Sequence, residues 1–195
     1  MSKAEKTKEK ILEATKELVE EIGPDSITME ILAKKIGMGK ASIYYHFKNK
    51  DEIITEVAKI EGRAIQREVY KAIQQKNDPK SKLLAFVTTR IKHVKKIAGF
   101  YGEDQLQKNL HKYYFAFEEF QRQFYDFEEN LLFSILEDGM EKEIFDIENL
   151  RLTTSALLSG LRGIEYQWTF NASVDEAIGQ AKLLLELLIN GIKKR

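Results

Sequence analysis

A short polar segment near the N-terminus carries the side chains best suited to specific chemistry. From Lys40 to His46 the sequence supplies a cation, hydroxyl groups, an imidazole and a methyl group around one apolar residue, Ile43. Groups of these types bond phosphate oxygens and contact the edges of bases. Two adjacent tyrosines beside a histidine cannot all face one core, so some must be exposed. The residues expected to face outward are Lys40, Ala41, Ser42, Tyr44, Tyr45 and His46.

Two short helices must position these side chains. Thr28 is suited to the N-cap of a helix through about residue 35, and Gly37 ends that helix. A second helix over residues 40–46 restarts three residues later, so the two helices must cross steeply. The sequence therefore predicts a helix-turn-helix, whose second helix is free to enter a major groove. The expected packing residues are Leu32, Ala33 and Ile36 on the first helix and Met38, Ile43 and Phe47 on the second.

The rest of the chain also has helical periodicity, and no alternating pattern bounded by hairpin turns appears. We therefore predict an all-α fold with a three-helix helix-turn-helix domain at residues 1–50 and a larger helical domain at residues 51–195. The first helix has its apolar stripe over residues 11–22, and capping boxes are expected at residues 49–52 and 173–176. The later helices are expected at about residues 49–76, 79–98, 103–138 (as one helix or a pair, ending near Gly139), 150–170 and 173–190.

Composition narrows the class of protein. The 195 residues carry 31 basic and 31 acidic side chains, two prolines and no cysteine. No apolar run approaches the ~18 residues of a membrane helix, and the N-terminus lacks the apolar core of a secretory signal. We therefore expect a cytoplasmic protein. Residues 1–50 have ten lysines and eight acids, which gives a mildly basic N-terminal domain. Lysines 3, 6, 8 and 10 fit either a DNA-reaching arm or a solvated helix start.

The span from about Thr7 to Glu52 resembles the DNA-binding domain of the tetracycline-repressor-like (TetR) family of bacterial transcription regulators. The resemblance lies in Gly23, Thr28, Leu32-Ala33, Gly37, Ile43-Tyr44, His46-Phe47, Lys50 and Glu52. It implies that Tyr44 and Lys50 contact the DNA backbone, that Thr28 caps near a phosphate, and that Lys40 and Ser42 face bases. Gly39 departs from the pattern, because the family usually has a Ser or Thr cap at this position. Periodicity alone also allows these to be ordinary bundle helices.

The larger domain has an aromatic stripe that recurs at helical spacing from Tyr113 to Leu131. The stripe is expected to form core, although large rings also leave gaps that an apolar ligand could fill. Family members generally bind a small effector in this domain and then release DNA. We expect a neutral or amphipathic hydrophobic effector, with acyl-coenzyme A a second possibility. The candidate contacts are His93, His111, Phe117, Phe120, Phe124, Asn130, Arg162 and Gln167.

The last two helices carry the residues expected at a homodimer interface. Small residues in residues 150–170 would allow close helix packing, and the final helix has apolar residues on two flanks. The family's dimers pair these two helices from each chain. The alternative is that the glycines only admit a neighbour in the same chain. The candidate interface residues are Ser155, Ser159, Gly160, Gly163, Leu184 and Leu188.

Enzymatic function is not expected from this sequence. A di-iron bundle needs Glu-x-x-His pairs, but the residues three positions before the histidines are Ile43, Arg90 and Lys108. No zinc-protease, P-loop or serine-hydrolase motif is present. We expect no cofactor and no metal. The sequence predicts a ligand-responsive repressor that binds a palindromic operator in double-stranded DNA, and the alternative is a helical ligand-binding or scaffold protein without DNA binding.

Overall fold

The computed structural model describes residues 2–101 and 118–192. All eight regular elements in these ranges are α-helices, which confirms the all-α prediction. The helices are α1 (Lys3–Ile22), α2 (Met29–Ile36), α3 (Lys40–His46), α4 (Lys50–Gln74), α5 (Pro79–Tyr101), α6 (Glu118–Glu141), α7 (Leu150–Asn171) and α8 (Val174–Ile192).

Capping side chains fix several helix starts. The Thr28 hydroxyl accepts a hydrogen bond from the third amide of α2 at 3.2 Å, and Asn149 does the same for α7 at 3.0 Å. Ser173 and Glu176 form a reciprocal capping box before α8. These contacts satisfy amides that have no partner inside the helix. All three caps were predicted from the sequence.

The start of α4 differs in one detail from the predicted capping box. The Asn49 side chain accepts from the Glu52 amide at 2.9 Å, as expected. The Glu52 carboxylate, however, accepts from the Lys48 amide at 2.6 Å, one residue before the expected donor. The cap therefore also fixes the backbone that leads from α3 into α4.

The chain divides into two compact units, one of Met1–Arg63 with Ile97–Glu118 and one of Ala64–Lys96 with Glu119–Arg195. The core of the first unit is formed where α1, α2 and α3 meet. The predicted packing residues lie in it, with Met38 partly buried at its edge. Ile27 and Met29, which the sequence did not indicate, are buried as well. The core residues are Ile11, Ala14, Leu18, Val19, Ile27, Met29, Leu32, Ala33, Ile36, Ile43, Phe47 and Ile53.

The N-terminal lysines belong to α1. Ser2 and Glu5 form a capping box that starts the helix at Lys3. The Lys10 ammonium donates to the Ile36 carbonyl at 3.2 Å, and the Lys8 ammonium lies 5.3 Å from the centroid of the Phe47 ring. Lys8 and Lys10 therefore connect α1 to the ends of α2 and α3. Of the two alternatives for the N-terminal lysines, the structure supports the start of a helix rather than an extended arm.

Two predicted helix ends are wrong. The fifth helix does not stop at Ala98 but continues through Gly99 to Tyr101. Gly139 lies inside α6 rather than after it, and a Cβ at this position would overlap the ring of buried Phe145. The amides of Ile144 and Phe145 donate to the Gly139 carbonyl at 2.8 and 3.0 Å. Gly139 therefore permits the chain to fold back over the end of α6.

The second unit buries apolar side chains from α4 to α8. Among the most deeply buried are Phe86 on α5, Leu132 and Leu136 on α6, Leu158 on α7 and Ala181 on α8. Across the described helices, none is both long and apolar enough to cross a membrane.

Candidate nucleic-acid interface

The two adjacent tyrosines of α3 are exposed, whereas the apolar residues close to them in the sequence are buried. Tyr44 is 52 % exposed and Tyr45 is 82 % exposed, whereas Ile43 and Phe47 are almost fully buried. The rings of Tyr45 and His46 meet edge to face with centroids 5.1 Å apart. Ala41 and Ser42 are exposed and His46 is half-buried. The structure thus brings the predicted polar face together on one side of a seven-residue helix.

The turn before α3 depends on Gly37. This residue has φ 67° and ψ 38°, the left-handed conformation that glycine adopts without steric cost. The Met38 amide donates to the Ala33 carbonyl at 3.0 Å and closes the end of α2. This geometry ends α2 and leads the chain into α3 three residues later, as the sequence predicted. Gly39 is the N-cap of α3. Because glycine has no side chain to accept a hydrogen bond from the first amides of the helix, the start of α3 has no side-chain cap.

Lys40 opens α3 and forms an ion pair with Glu30 of α2. Both side chains are about half exposed, so the pair lies on the surface beside the tyrosines. Because Lys40 is already bonded to a carboxylate, a DNA phosphate or base would have to compete for its ammonium. Glu30 was not singled out from the sequence, since its position ten residues earlier gives no indication of this contact.

Lys50 has a structural role in addition to the predicted contact. Its ammonium donates to the carbonyls of Asp25 and Ile27, each at 3.1 Å, and its side chain is half-buried. These bonds hold the α1–α2 loop against the start of α4. An ammonium has three donors, so two loop bonds leave one for a phosphate. The loop leads directly into Thr28, the cap of α2.

Lys35 is neutralised within the protein. Its ammonium bonds Glu21 at 2.6 Å and Glu17 at 3.1 Å. The hydrogen bond to Glu21, and then that to Glu17, raise the pKa of Lys35. Lys35 is therefore less available to bind a DNA phosphate. The exposed face of α3 is the better candidate surface for DNA.

The predicted effector contacts do not form one described cluster. His93 is buried and its Nε2 lies 2.9 Å from a Glu68 carboxylate oxygen. Arg162 stacks on the Tyr125 ring at 3.6 Å, and Asn130 is exposed. The structure describes the helices that carry Phe120, Phe124 and Gln167, but it does not describe these three side chains. His111 and Phe117 lie outside the described residues.

The predicted dimer residues of α7 lie on an exposed face. Ser155, Ser159, Gly160 and Gly163 are all exposed. A Cβ added at either glycine would meet no atom within 4 Å in the described chain, which disfavours the alternative of a close intramolecular neighbour. On α8, Leu184 and Leu188 are partly buried. The exposed leucines on this helix are instead Leu183 at 60 % and Leu187 at 64 %, four residues apart.

Comparison with known proteins identifies the helix-turn-helix. Residues 11–57 match the family profile described as bacterial regulatory proteins, tetR family. The N-terminal domain belongs to the TetR family. The match covers α1 from Ile11 onward, α2, α3 and the first turns of α4, and so includes the helix that presents the exposed tyrosines. The chain is therefore a DNA-binding transcription regulator rather than an enzyme.

Other known proteins are similar to this chain over almost its whole length. The fatty acid metabolism regulator protein of Bacillus subtilis (strain 168) is 24 % identical over 191 residues, covering 95 % of each chain. A TetR transcription regulator from Haloarcula marismortui has a TM-score of 0.76 at 16 % identity, covering 97 % of this chain and 99 % of its own. The fatty acid degradation regulator FadR from Bacillus halodurans has a TM-score of 0.67 at 18 % identity, covering 100 % and 99 %. The two solved structures confirm the fold, a helix-turn-helix domain with a larger helical domain.

No group of three or more histidine, cysteine, aspartate or glutamate side chains in the described part of the chain could hold a metal ion.

Proposed function

We propose that this TetR-family regulator is a repressor that leaves a palindromic operator when a small hydrophobic or amphipathic effector binds. The observation that carries the DNA-binding half is the exposed face of α3 above the buried Ile43 and Phe47. Ala41, Ser42, Tyr44 and Tyr45 would contact bases and phosphates, with His46 at the edge. Lys40 would join them after it leaves Glu30, and Thr28 and Lys50 would meet the backbone.

We propose that the functional boundary lies at residue 50. Residues 1–50 carry all the side chains proposed to contact DNA, and residues 51–195 would bind the effector and the second subunit. The helix α4 begins at this boundary and has bonded partners along its length. Glu61 accepts from Lys16 of α1 at 2.6 Å. Two turns later, Glu68 lies 2.9 Å from His93 of α5. A shift of α4 on effector binding would therefore move contacts that reach α1.

A homodimer is the proposed assembly. Leu183 and Leu187 on α8 are apolar and exposed, and the small residues of α7 are exposed as well. A second copy of the chain would cover these residues, since a two-fold axis pairs identical patches. Leu183 and Leu187 would then contribute more contact than the predicted Leu184 and Leu188. Cytoplasmic localisation is proposed with this function, because the operator is genomic DNA.

The effector is proposed to be an acyl-chain compound. The name of the Bacillus subtilis relative, a fatty acid metabolism regulator protein, supports this class of ligand and suggests that the regulated genes serve fatty acid metabolism. The larger domain supplies apolar helices together with the buried Arg90 on α5 and the partly buried Arg162 on α7, which suits an amphipathic molecule. The candidate contacts His93 and Arg162 have the strongest support among those described, because His93 is buried and Arg162 lies 3.6 Å from the buried Glu128 carboxylate.

A mobility-shift assay with operator DNA tests this function directly. Full-length protein should bind its operator, and a saturating acyl-chain ligand should release it. Ligand at about 100 times its dissociation constant should also stabilise the protein by ~2.7 kcal/mol in a thermal melt. Binding that only small polar metabolites relieve would contradict the acyl-chain proposal. Tighter DNA binding with the ligand would contradict the repressor mechanism.

A further inference from the structure

Three charged side chains from three helices meet inside the second unit. The Arg90 Nη1 of α5 lies 2.5 Å from the Glu128 Oε2 of α6. The Arg162 Nη2 of α7 lies 3.6 Å from the same oxygen. Arg90 and Glu128 are almost fully buried, and the Arg162 side chain is 29 % exposed. Arg162 is therefore the member of the group that lies between the core and the solvent.

One edge of the Arg162 guanidinium is buried and makes no hydrogen bond in the described chain. Its face covers the Tyr125 ring, with the central carbon 3.6 Å from the ring centroid. The Nε and Nη2 atoms are both buried and have no hydrogen-bond partner in the described chain. The 3.6 Å separation from Glu128 is too long for a hydrogen bond. These two nitrogens form the side of the guanidinium that binds a carboxylate through two parallel hydrogen bonds.

Buried apolar residues lie close in sequence to both Arg162 and Glu128. Leu158 and Leu161 precede Arg162 on α7 and are buried, and Leu131 and Leu132 follow Glu128 on α6 and are buried too. Electrostatic attraction is stronger in such a low-dielectric setting than in water. A buried donor without an acceptor is also costly, so a ligand that supplies the acceptor gains affinity. A planar stacked guanidinium fits a carboxylate better than a lysine ammonium would.

We propose that the Nε–Nη2 edge of Arg162 binds the carboxylate head of an acyl-chain effector. This inference rests on the proposed function, since it assumes that the second unit binds an amphipathic ligand. Tyr125 would hold the guanidinium plane in place as a positioning residue. Glu128 would compete with the ligand for Arg162, so the free site would be held by a weak internal contact that the ligand replaces.

The test compares ligands that share a chain and differ in the head group. Calorimetric titrations of the full-length wild-type protein would use hexadecanoate, hexadecanol and hexadecanoyl-coenzyme A. Hexadecanoate should bind roughly tenfold or more tightly than hexadecanol, because only the acid offers two charge-assisted hydrogen bonds. The thioester carbonyl next to the chain is uncharged, so hexadecanoyl-coenzyme A should not exceed the acid. This comparison needs no variant and is unaffected by any folding defect.

Variants then assign the preference to Arg162. Arg162→Gln should reduce the acid-to-alcohol ratio to about one, mainly by weakening hexadecanoate binding, and Arg162→Lys should retain only part of the preference. Arg151→Gln is the matched control, because Arg151 is exposed on the same helix. A wild-type protein that binds acid and alcohol equally would overturn the inference, as would an Arg162→Gln variant that keeps the preference. Binding of the thioester alone would overturn it too, with the acyl-chain effector retained. If none of the three ligands bound, the proposed effector would fail together with the inference.

Discussion

At the scale of single residues, Lys50 and Lys40 are held differently before DNA is bound. Lys50 is bonded to two loop carbonyls, whereas Lys40 is bonded to one surface carboxylate. Loss of Lys50 should therefore affect both the α1–α2 loop and any phosphate contact. Loss of Glu30, the partner of Lys40, should affect only how readily the Lys40 ammonium can bind DNA. The two residues need different experiments.

Lys50→Ala should weaken binding to all DNA sequences alike. It should lower the slope of log affinity against log salt by about one, because one phosphate contact is removed. The variant should also lose stability, since the carbonyls of Asp25 and Ile27 lose a charged donor, which costs about 1–3 kcal/mol. Fluorescence anisotropy across salt concentrations measures the first effect and urea unfolding the second. Lys71→Ala, on the last turn of α4, is the charge-matched control. An unchanged salt slope would mean that Lys50 only supports the loop.

Glu30→Gln should strengthen binding to non-cognate DNA. The change frees Lys40 and removes a negative charge, so the affinity should rise roughly two- to fivefold, in line with the worth of a surface ion pair. Anisotropy with a non-cognate duplex measures this, and Glu13→Gln on exposed α1 surface is the control. If the ion pair is responsible, the gain should disappear in a Lys40→Ala background. An equal gain in that background would assign the effect to general repulsion by Glu30.

At the scale of elements, the sequence indicated helix starts better than helix ends. Thr28, Asn149 and Ser173 are polar residues that cap by local hydrogen bonds, so their roles follow from neighbouring sequence. The ends at Ala98 and near Gly139 were wrong because glycine is tolerated inside a helix when packing favours it. The role of Gly139 depends on Phe145, which folds back over it, and spacing along the chain does not reveal this contact.

The candidate DNA interface was largely predictable for the same reason. Helix period and a turn glycine were enough to place Ile43 and Phe47 inside and the tyrosines outside. The pairing of Lys40 with Glu30 and the loop bonds of Lys50 were not predictable, because they join residues 10 and 23–25 positions apart. On α8 the exposed leucines are Leu183 and Leu187, whereas Leu184 and Leu188, which we predicted at the dimer interface, are partly buried. Because α8 has apolar residues on both flanks, the sequence alone does not show which leucines pack inside the chain and which are exposed.

Gly139→Ala should destabilise the second unit. The added methyl would overlap the Phe145 ring, and overpacking of this kind costs about 1–3 kcal/mol. Urea unfolding measures the loss, and Ser134→Ala, at an exposed position of the same helix, should be close to neutral. A second change, Phe145→Leu, should cost less in the Gly139→Ala background than alone, because the two residues are in contact. Strict additivity would contradict the contact.

At the scale of the whole molecule, the dimer can be tested separately from the fold. Gly160→Leu should leave the folding of a single chain intact, because a Cβ at this position meets no atom within 4 Å in the described chain. In the dimer the same side chain should overpack the interface and weaken association by about 1–3 kcal/mol. Sedimentation velocity at micromolar concentrations measures the change, with Glu137→Leu on exposed α6 as the control. A wild-type protein that is wholly monomeric under these conditions would refute the dimer.

The central claim is that two copies of α3 read DNA about a two-fold axis, and selection of bound sequences from random duplexes tests it most directly. Two recognition helices related by such an axis contact half-sites about one helical turn apart, roughly 34–36 Å, or a multiple of that distance. The enriched sequences should therefore be palindromic with that spacing, and substituting the exposed Ser42 and Tyr44 together by alanine should abolish the enrichment. An enriched sequence without two-fold symmetry, or no enrichment by the wild-type protein, would contradict the account.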